Sequence, residues 1–115
     1  MLLTMTMLLV AATARGAGDD RLRVDVYPSY AHAPAVVRIQ AHVAPDADNR
    51  ALEIGADSGS YFRATTIELT GTDDPRAHTV EFRGLPAGEY DVQVLLRTAD
   101  SRVRATLHYR VVVIP

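Results

Sequence analysis

The sequence predicts an all-β fold, a single antiparallel β-sandwich of about seven strands, on three observations. From Leu22 onward the apolar residues recur at every second position, and no window carries the i, i+3, i+4, i+7 stripe of an amphipathic helix. Segments rich in Gly, Pro, Asp and Ser interrupt this alternation at intervals of about 8–12 residues, as the turns of a sandwich do. A chain of 115 residues that is 48% hydrophobic and 23% charged fills one ordinary folded domain.

The elements follow in order. Leu22, Val24 and Val26 alternate with Arg23, Asp25 and Tyr27, the signature of a half-buried strand. PSYAHAP reads as the turn after it. Val37, Ile39, Ala41 and Val43 then alternate with Arg38, Gln40 and His42, and PDADN closes that strand. Leu52 and Ile54 mark a third strand, ended by DSGS. Ile67 and Leu69, within 61–69, mark a fourth, ended by GTDDPRA. Val80 and Phe82, within 78–83, mark a fifth, and GLPAGE leads into a sixth at 90–97. The seventh spans 102–114, after TADS.

A hairpin centred on Ala99-Asp100 pairs Tyr90 with Tyr109, Val92 with Leu107, Val94 with Ala105 and Leu96 with Val103 on the inner face. It pairs Asp91 with His108 and Glu89 with Arg110 on the outer face, and a slip by one residue would turn every apolar side chain outward. The tail Val111-Val112-Val113-Ile114 is apolar on both faces. It is expected either to be buried by the segment next to a signal peptide or to pair with a partner's strand.

MLLTMTMLLVAATARGAGDD opens with an apolar run, a small-x-small site at Ala12-Thr13-Ala14, and then two acids. This is the pattern of a secretory signal peptide with a short linker, residues 1–18, ahead of a domain at 19–115. The run falls short of the roughly 20 apolar residues that span a bilayer, so no stable membrane anchor is expected. The chain has no cysteine, which excludes disulfides, thiol catalysis and zinc–thiolate sites. An exported domain without disulfides fits the bacterial envelope, in the periplasm or at the cell surface, better than a disulfide-rich secreted module. A formal net charge of −2 gives no long-range attraction to nucleic acid.

Leu85-Pro86-Ala87-Gly88-Glu89-Tyr90 has the order of a tyrosine corner, in which a Tyr near the start of strand F bonds through its hydroxyl to backbone a few residues upstream. With this motif, residues 22–115 resemble the immunoglobulin-like and fibronectin type III-like sandwiches of bacterial envelope proteins. The sequence departs from the antibody pattern in having neither a Trp for strand C nor a cysteine pair. The resemblance implies that the loops between strands gather at two poles.

Each pole offers a candidate surface. One would hold Asp46, Asp48, Asp73, Asp74 and Asp100, carboxylates of the kind that supply the about 6–8 oxygens of a calcium site. Aspartate is also a common turn former, and the spacing matches no calcium loop. The other pole would hold Tyr27, Tyr30, Tyr61 and Phe62, which either cap the core or stack on a sugar or protein partner. Arg102, Arg104 and Arg110 line the outward face of the last strand, either as an anion-binding row or as charge that guards an edge.

No catalytic constellation is recognisable. Asp57-Ser58-Gly59 lacks a G-x-S-x-G context, and His32, His42, His78 and His108 are dispersed. The sequence therefore leads to a non-enzymatic binding or structural module without a cofactor. Its expected partner is another envelope or extracellular protein, and the alternatives are a carbohydrate-binding accessory module or a strand-adding subunit.

Overall fold

A computed structural model describes residues 20–115. The segment assigned above to a signal peptide lies outside the described residues. Eight strands follow one another: β1 (Leu22–Tyr27), β2 (Tyr30–His32), β3 (Ala35–Val43), β4 (Asn49–Asp57), β5 (Phe62–Glu68), β6 (Ala77–Leu85), β7 (Gly88–Thr98) and β8 (Val103–Ile114). They form a three-stranded sheet in the order β1-β3-β6 and a five-stranded sheet in the order β2-β8-β7-β4-β5. The fold is thus all-β, in two layers.

Period-two patterning builds the core. In β3 the buried residues are Ala35, Val37, Ile39, Ala41 and Val43, and in β7 they are Tyr90, Val92, Val94, Leu96 and Thr98. These inward rows meet Leu52, Ile54 and Ala56 of β4 and Val111 and Val113 of β8 in one continuous cluster. Fully burying a Val, Leu or Ile side chain is worth about 1.5–3 kcal/mol, so these rows fix which face of each strand turns inward. Tyr109 joins the layers directly: its hydroxyl donates to the Val24 carbonyl at 2.9 Å.

The structure differs from the sequence reading in two places. First, β2 lies inside PSYAHAP, for which the sequence predicts a turn. It pairs with β8 in parallel, Tyr30 against Val112, Ala31 against Val113 and His32 against Ile114. Three residues between prolines are too few to display an alternation. This strand covers the end of the apolar tail, with Val112 N–H donating to Ser29 and Ala33 N–H to Ile114. The edge of the tail at 112–114 is thus taken by the chain's own β2.

Second, the β7–β8 hairpin is displaced by two residues from the expected register. Tyr90 lies opposite Val111, Val92 opposite Tyr109, Val94 opposite Leu107 and Leu96 opposite Ala105. A two-residue shift keeps Tyr90, Val92, Val94 and Leu96 and their partners on the expected faces, whereas Val103, expected inside opposite Leu96, lies opposite Arg97 and is exposed. The turn decides. A register irregularity at Leu96/Arg97 and a left-handed Ser101 at φ 67° build a longer connection, in which Thr98 N–H donates to Arg102 and Ser101 N–H to Thr98.

The loops gather at two poles. At one, the loop after β3 meets the loop after β5 so closely that a Cβ on Gly71, at φ 123°, would stand 3.1 Å from the Ala47 carbonyl oxygen. At the other, Tyr90 donates its hydroxyl to the Pro86 carbonyl at 2.7 Å, closing the turn between β6 and β7.

Candidate functional site

The acidic pole is occupied by its own hydrogen bonds. Asp46 accepts from the Asp48 N–H at 2.8 Å and from Arg104 at 2.7 Å, and Asp48 faces the same guanidinium at 3.4 Å. The Asp48 N–H, and after it Arg104, hold the Asp46 carboxyl below its usual range. Asp74 serves its own loop, taking the N–H groups of Thr70 and Gly71 and the Thr70 hydroxyl, and the Thr70 N–H leads in lowering its pKa. Asp100 accepts the Thr98 hydroxyl at 2.6 Å and faces Arg102 at 3.1 Å. Its pKa is lowered first by that hydroxyl. Asp73 is exposed in the loop. Among the described residues, no three His, Asp or Glu converge as a metal-binding group.

The three arginines of the last strand divide. Arg102 and Arg110 are exposed and paired with Asp100 and Glu89. The Arg104 side chain is only 17% exposed, bound between Asp46 and Asp48. The expected row is therefore not a continuous basic surface, because one member braces the loop after β3.

The aromatic set also divides. Tyr61 packs against the core, its ring 6.5 Å from that of Tyr90 and at 84° to it. Tyr27, Tyr30 and Phe62 are 74%, 62% and 64% exposed. Tyr30 lies on β2 and Phe62 on β5, opposite edges of the five-stranded sheet. Four strand spacings of about 4.8 Å put about 19 Å between those edges, so the rings do not form one cluster.

The register assembles a different surface on the outward face of this sheet. Phe62 of β5 lies opposite Asp57 of β4, Asp57 opposite Asp91 of β7, and Asp91 opposite Arg110 of β8. In the next outward row, Ala64, Gly55, Gln93 and His108 follow in the same order. Gly55 and Ala64 leave that row nearly bare, and a Cβ placed on Gly55 would stand 3.7 Å from Cε1 of Phe62. The result is a cleft of ≈ 200 Å³ with Gly55 as its floor, Phe62 on one wall and Asp57 and Asp91 at one end.

The charges around the cleft are unevenly matched. Glu53 pairs with Arg97 at 2.7 Å and Glu89 with Arg110 at 3.0 Å. Among the described residues, Asp91 faces only the His108 ring, at 3.1 Å, and Asp57 accepts only the Gly59 N–H, at 2.8 Å. Like charges directly opposite one another across an antiparallel pair are unfavourable. The sequence leaves Phe62 either as a cap on the core or as a surface ring, and alternation alone does not make Gly55, Asp57 and Asp91 its neighbours; at 64% exposed Phe62 is a surface ring. The available signal was a glycine inside an otherwise regular strand, which marks close approach by something else.

Two packed β-layers with the strand orders given above define the structural class, and the comparisons with known proteins match at that level. No family model matches the chain, and no curated protein does. Among solved structures, the superoxide reductase (neelaredoxin) from Ignicoccus hospitalis superposes with a TM-score of 0.61 at 11% identity, covering 80% of this chain and 79% of that one. At that identity the likeness is one of fold. It nevertheless corrects the expectation that the chain is not an enzyme. That expectation rested on the lack of a recognisable catalytic motif in the sequence, and a chain of this fold is an enzyme.

Proposed function

We propose that the chain is an exported binding module of the bacterial cell envelope that acts through protein–protein contact, on an immunoglobulin-like or fibronectin type III-like sandwich. Two features support the frame: the strand order β1-β3-β6 over β2-β8-β7-β4-β5, and the Tyr90 hydroxyl bonded to the Pro86 carbonyl. One observation carries the binding role. The outward face of the five-stranded sheet presents an exposed aromatic, Phe62, beside an open cleft, while Glu53 and Glu89 nearby are paired with Arg97 and Arg110.

The test is a photo-crosslinking amino acid placed in cells at Phe62 and, separately, at Arg38 on the outward face of the three-stranded sheet. A discrete adduct from position 62 and none from 38 supports the reading. No adduct from either, or the same adducts from both, overturns it. Export is tested by fusing residues 1–18 to a reporter active only outside the cytoplasm, and an inactive fusion overturns that part.

A further inference from the structure

We infer that the cleft over Gly55 seats an arginine side chain of the partner, with Phe62 stacking on the guanidinium and Asp57 and Asp91 receiving its N–H groups. This rests on the reading of the outward face as a protein-binding surface and adds the chemistry of what binds.

Three independent features converge on a planar cation. The first is shape. Gly55 sits mid-strand at an outward position, with no positive φ and no loop to explain it, and its missing side chain is what opens the cleft. A Cβ would meet only ordinary contacts there, the nearest at 3.6 Å from the Arg63 carbonyl oxygen. Neither backbone conformation nor crowding therefore demands glycine at this position.

The second is charge. Asp57 and Asp91 oppose each other across β4 and β7, where facing Cα atoms lie about 4.5–5.5 Å apart. The nearby cations Arg97 and Arg110 are drawn away to Glu53 and Glu89, and Asp91 has the His108 ring beside it at 3.1 Å. Among the described residues Asp57 has no cationic partner. A cation entering between the two carboxylates replaces a repulsion with two charge-assisted contacts.

The third is the aromatic wall. Phe62 lies opposite Asp57 in the register and is 64% exposed, so one guanidinium can meet the ring and the carboxylate together. Arginine suits this geometry better than lysine, because its planar fork both stacks and bonds in pairs, whereas an ammonium is a compact, strongly hydrated point charge.

The experiment titrates the ¹⁵N-labelled chain with the peptide acetyl-Gly-Arg-Gly-amide and with its citrulline and lysine counterparts, following amide shifts. The arginine peptide is expected to give saturable shifts centred on Gly55, Ala64 and Gln93. Citrulline, which keeps the shape and loses the charge, should give none, and lysine should bind more weakly. Asp57→Asn is expected to weaken the arginine peptide at least tenfold, on the order of one charge-assisted contact.

Gly55→Thr fills the cleft without touching a charge and uses a strand-favouring residue, so it should abolish the shifts while the melting temperature stays level or rises. Equal shifts from the citrulline peptide overturn the inference, as do arginine shifts unchanged in Asp57→Asn. Shifts at the same amides from cellohexaose, with none from the arginine peptide, overturn it in favour of a glycan site. If the Phe62 crosslink in cells persists undiminished in Asp57→Asn, the surface assignment stands and the cation assignment fails. If the crosslink never forms, the surface assignment itself fails.

Discussion

Two tyrosine hydroxyls illustrate how single groups tie this chain together. Tyr90 is buried and donates to Pro86, and Tyr109 reaches across the core to Val24. Burial leads in raising the pKa of both phenols, so both stay protonated donors at neutral pH. Tyr90→Phe and Tyr109→Phe should each lower the urea unfolding free energy by about 0.5–1.5 kcal/mol, the net worth of one hydrogen bond. Asp74 gives a pH-dependent counterpart. Its carboxyl is held below the usual aspartate value of 3.8, chiefly by the Thr70 N–H. A depressed folded-state pKa contributes stability above the unfolded value and loses it as pH falls through the folded one. Asp74→Asn should therefore melt at a lower temperature than the parent at pH 7, and the gap should close in acid below the usual range. The Tyr90 bond was legible because its motif is local, six residues read in a row. The partner of Tyr109 was not, because the Val24 carbonyl is brought there only by packing of the other sheet.

At the scale of elements, the β7–β8 turn shows what alternation conveys and what it leaves open. Alternation assigns Leu96, Val94 and Val92 to the core in either of two registers, and the structure takes the one with Ser101 in the left-handed region. Serine tolerates that conformation at some cost, and a β-branched residue tolerates it poorly. Ser101→Val should thus destabilise the fold by about 1–2 kcal/mol, while Ser101→Gly should be neutral or mildly stabilising, both read by chemical denaturation. The expected outward pairs survive the displacement as diagonals, with His108 reaching Asp91 and Arg110 reaching Glu89. Strand β2 was invisible for a related reason. Tyr30, Ala31 and His32 have no pattern of their own and take strand form from the edge that β8 offers.

For the whole molecule, one core joins both sheets, so the layers should not unfold separately. Tyrosine fluorescence and far-UV circular dichroism are expected to report one coincident thermal transition, and two separated transitions would show the layers to be independent. The two-layer all-β architecture was readable because burial imposes its period on every long strand. The cleft was not, since Phe62, Asp57 and Asp91 become neighbours only once β5, β4 and β7 lie side by side, and only Gly55 hinted at it.

The parallel pairing of β2 with β8 has a mechanical consequence. Arg21 is bonded beside Ala44 at the acidic pole, whereas Ile114 is bonded beside Ala33 at the other. A tension drawing residue 21 away from residue 114 runs along the strands, not across them. The bonds of Val112 to Ser29 and of Ala33 to Ile114 would bear that load together in shear, where a zipper would break them one at a time, so a three-residue strand becomes the clasp that resists pulling.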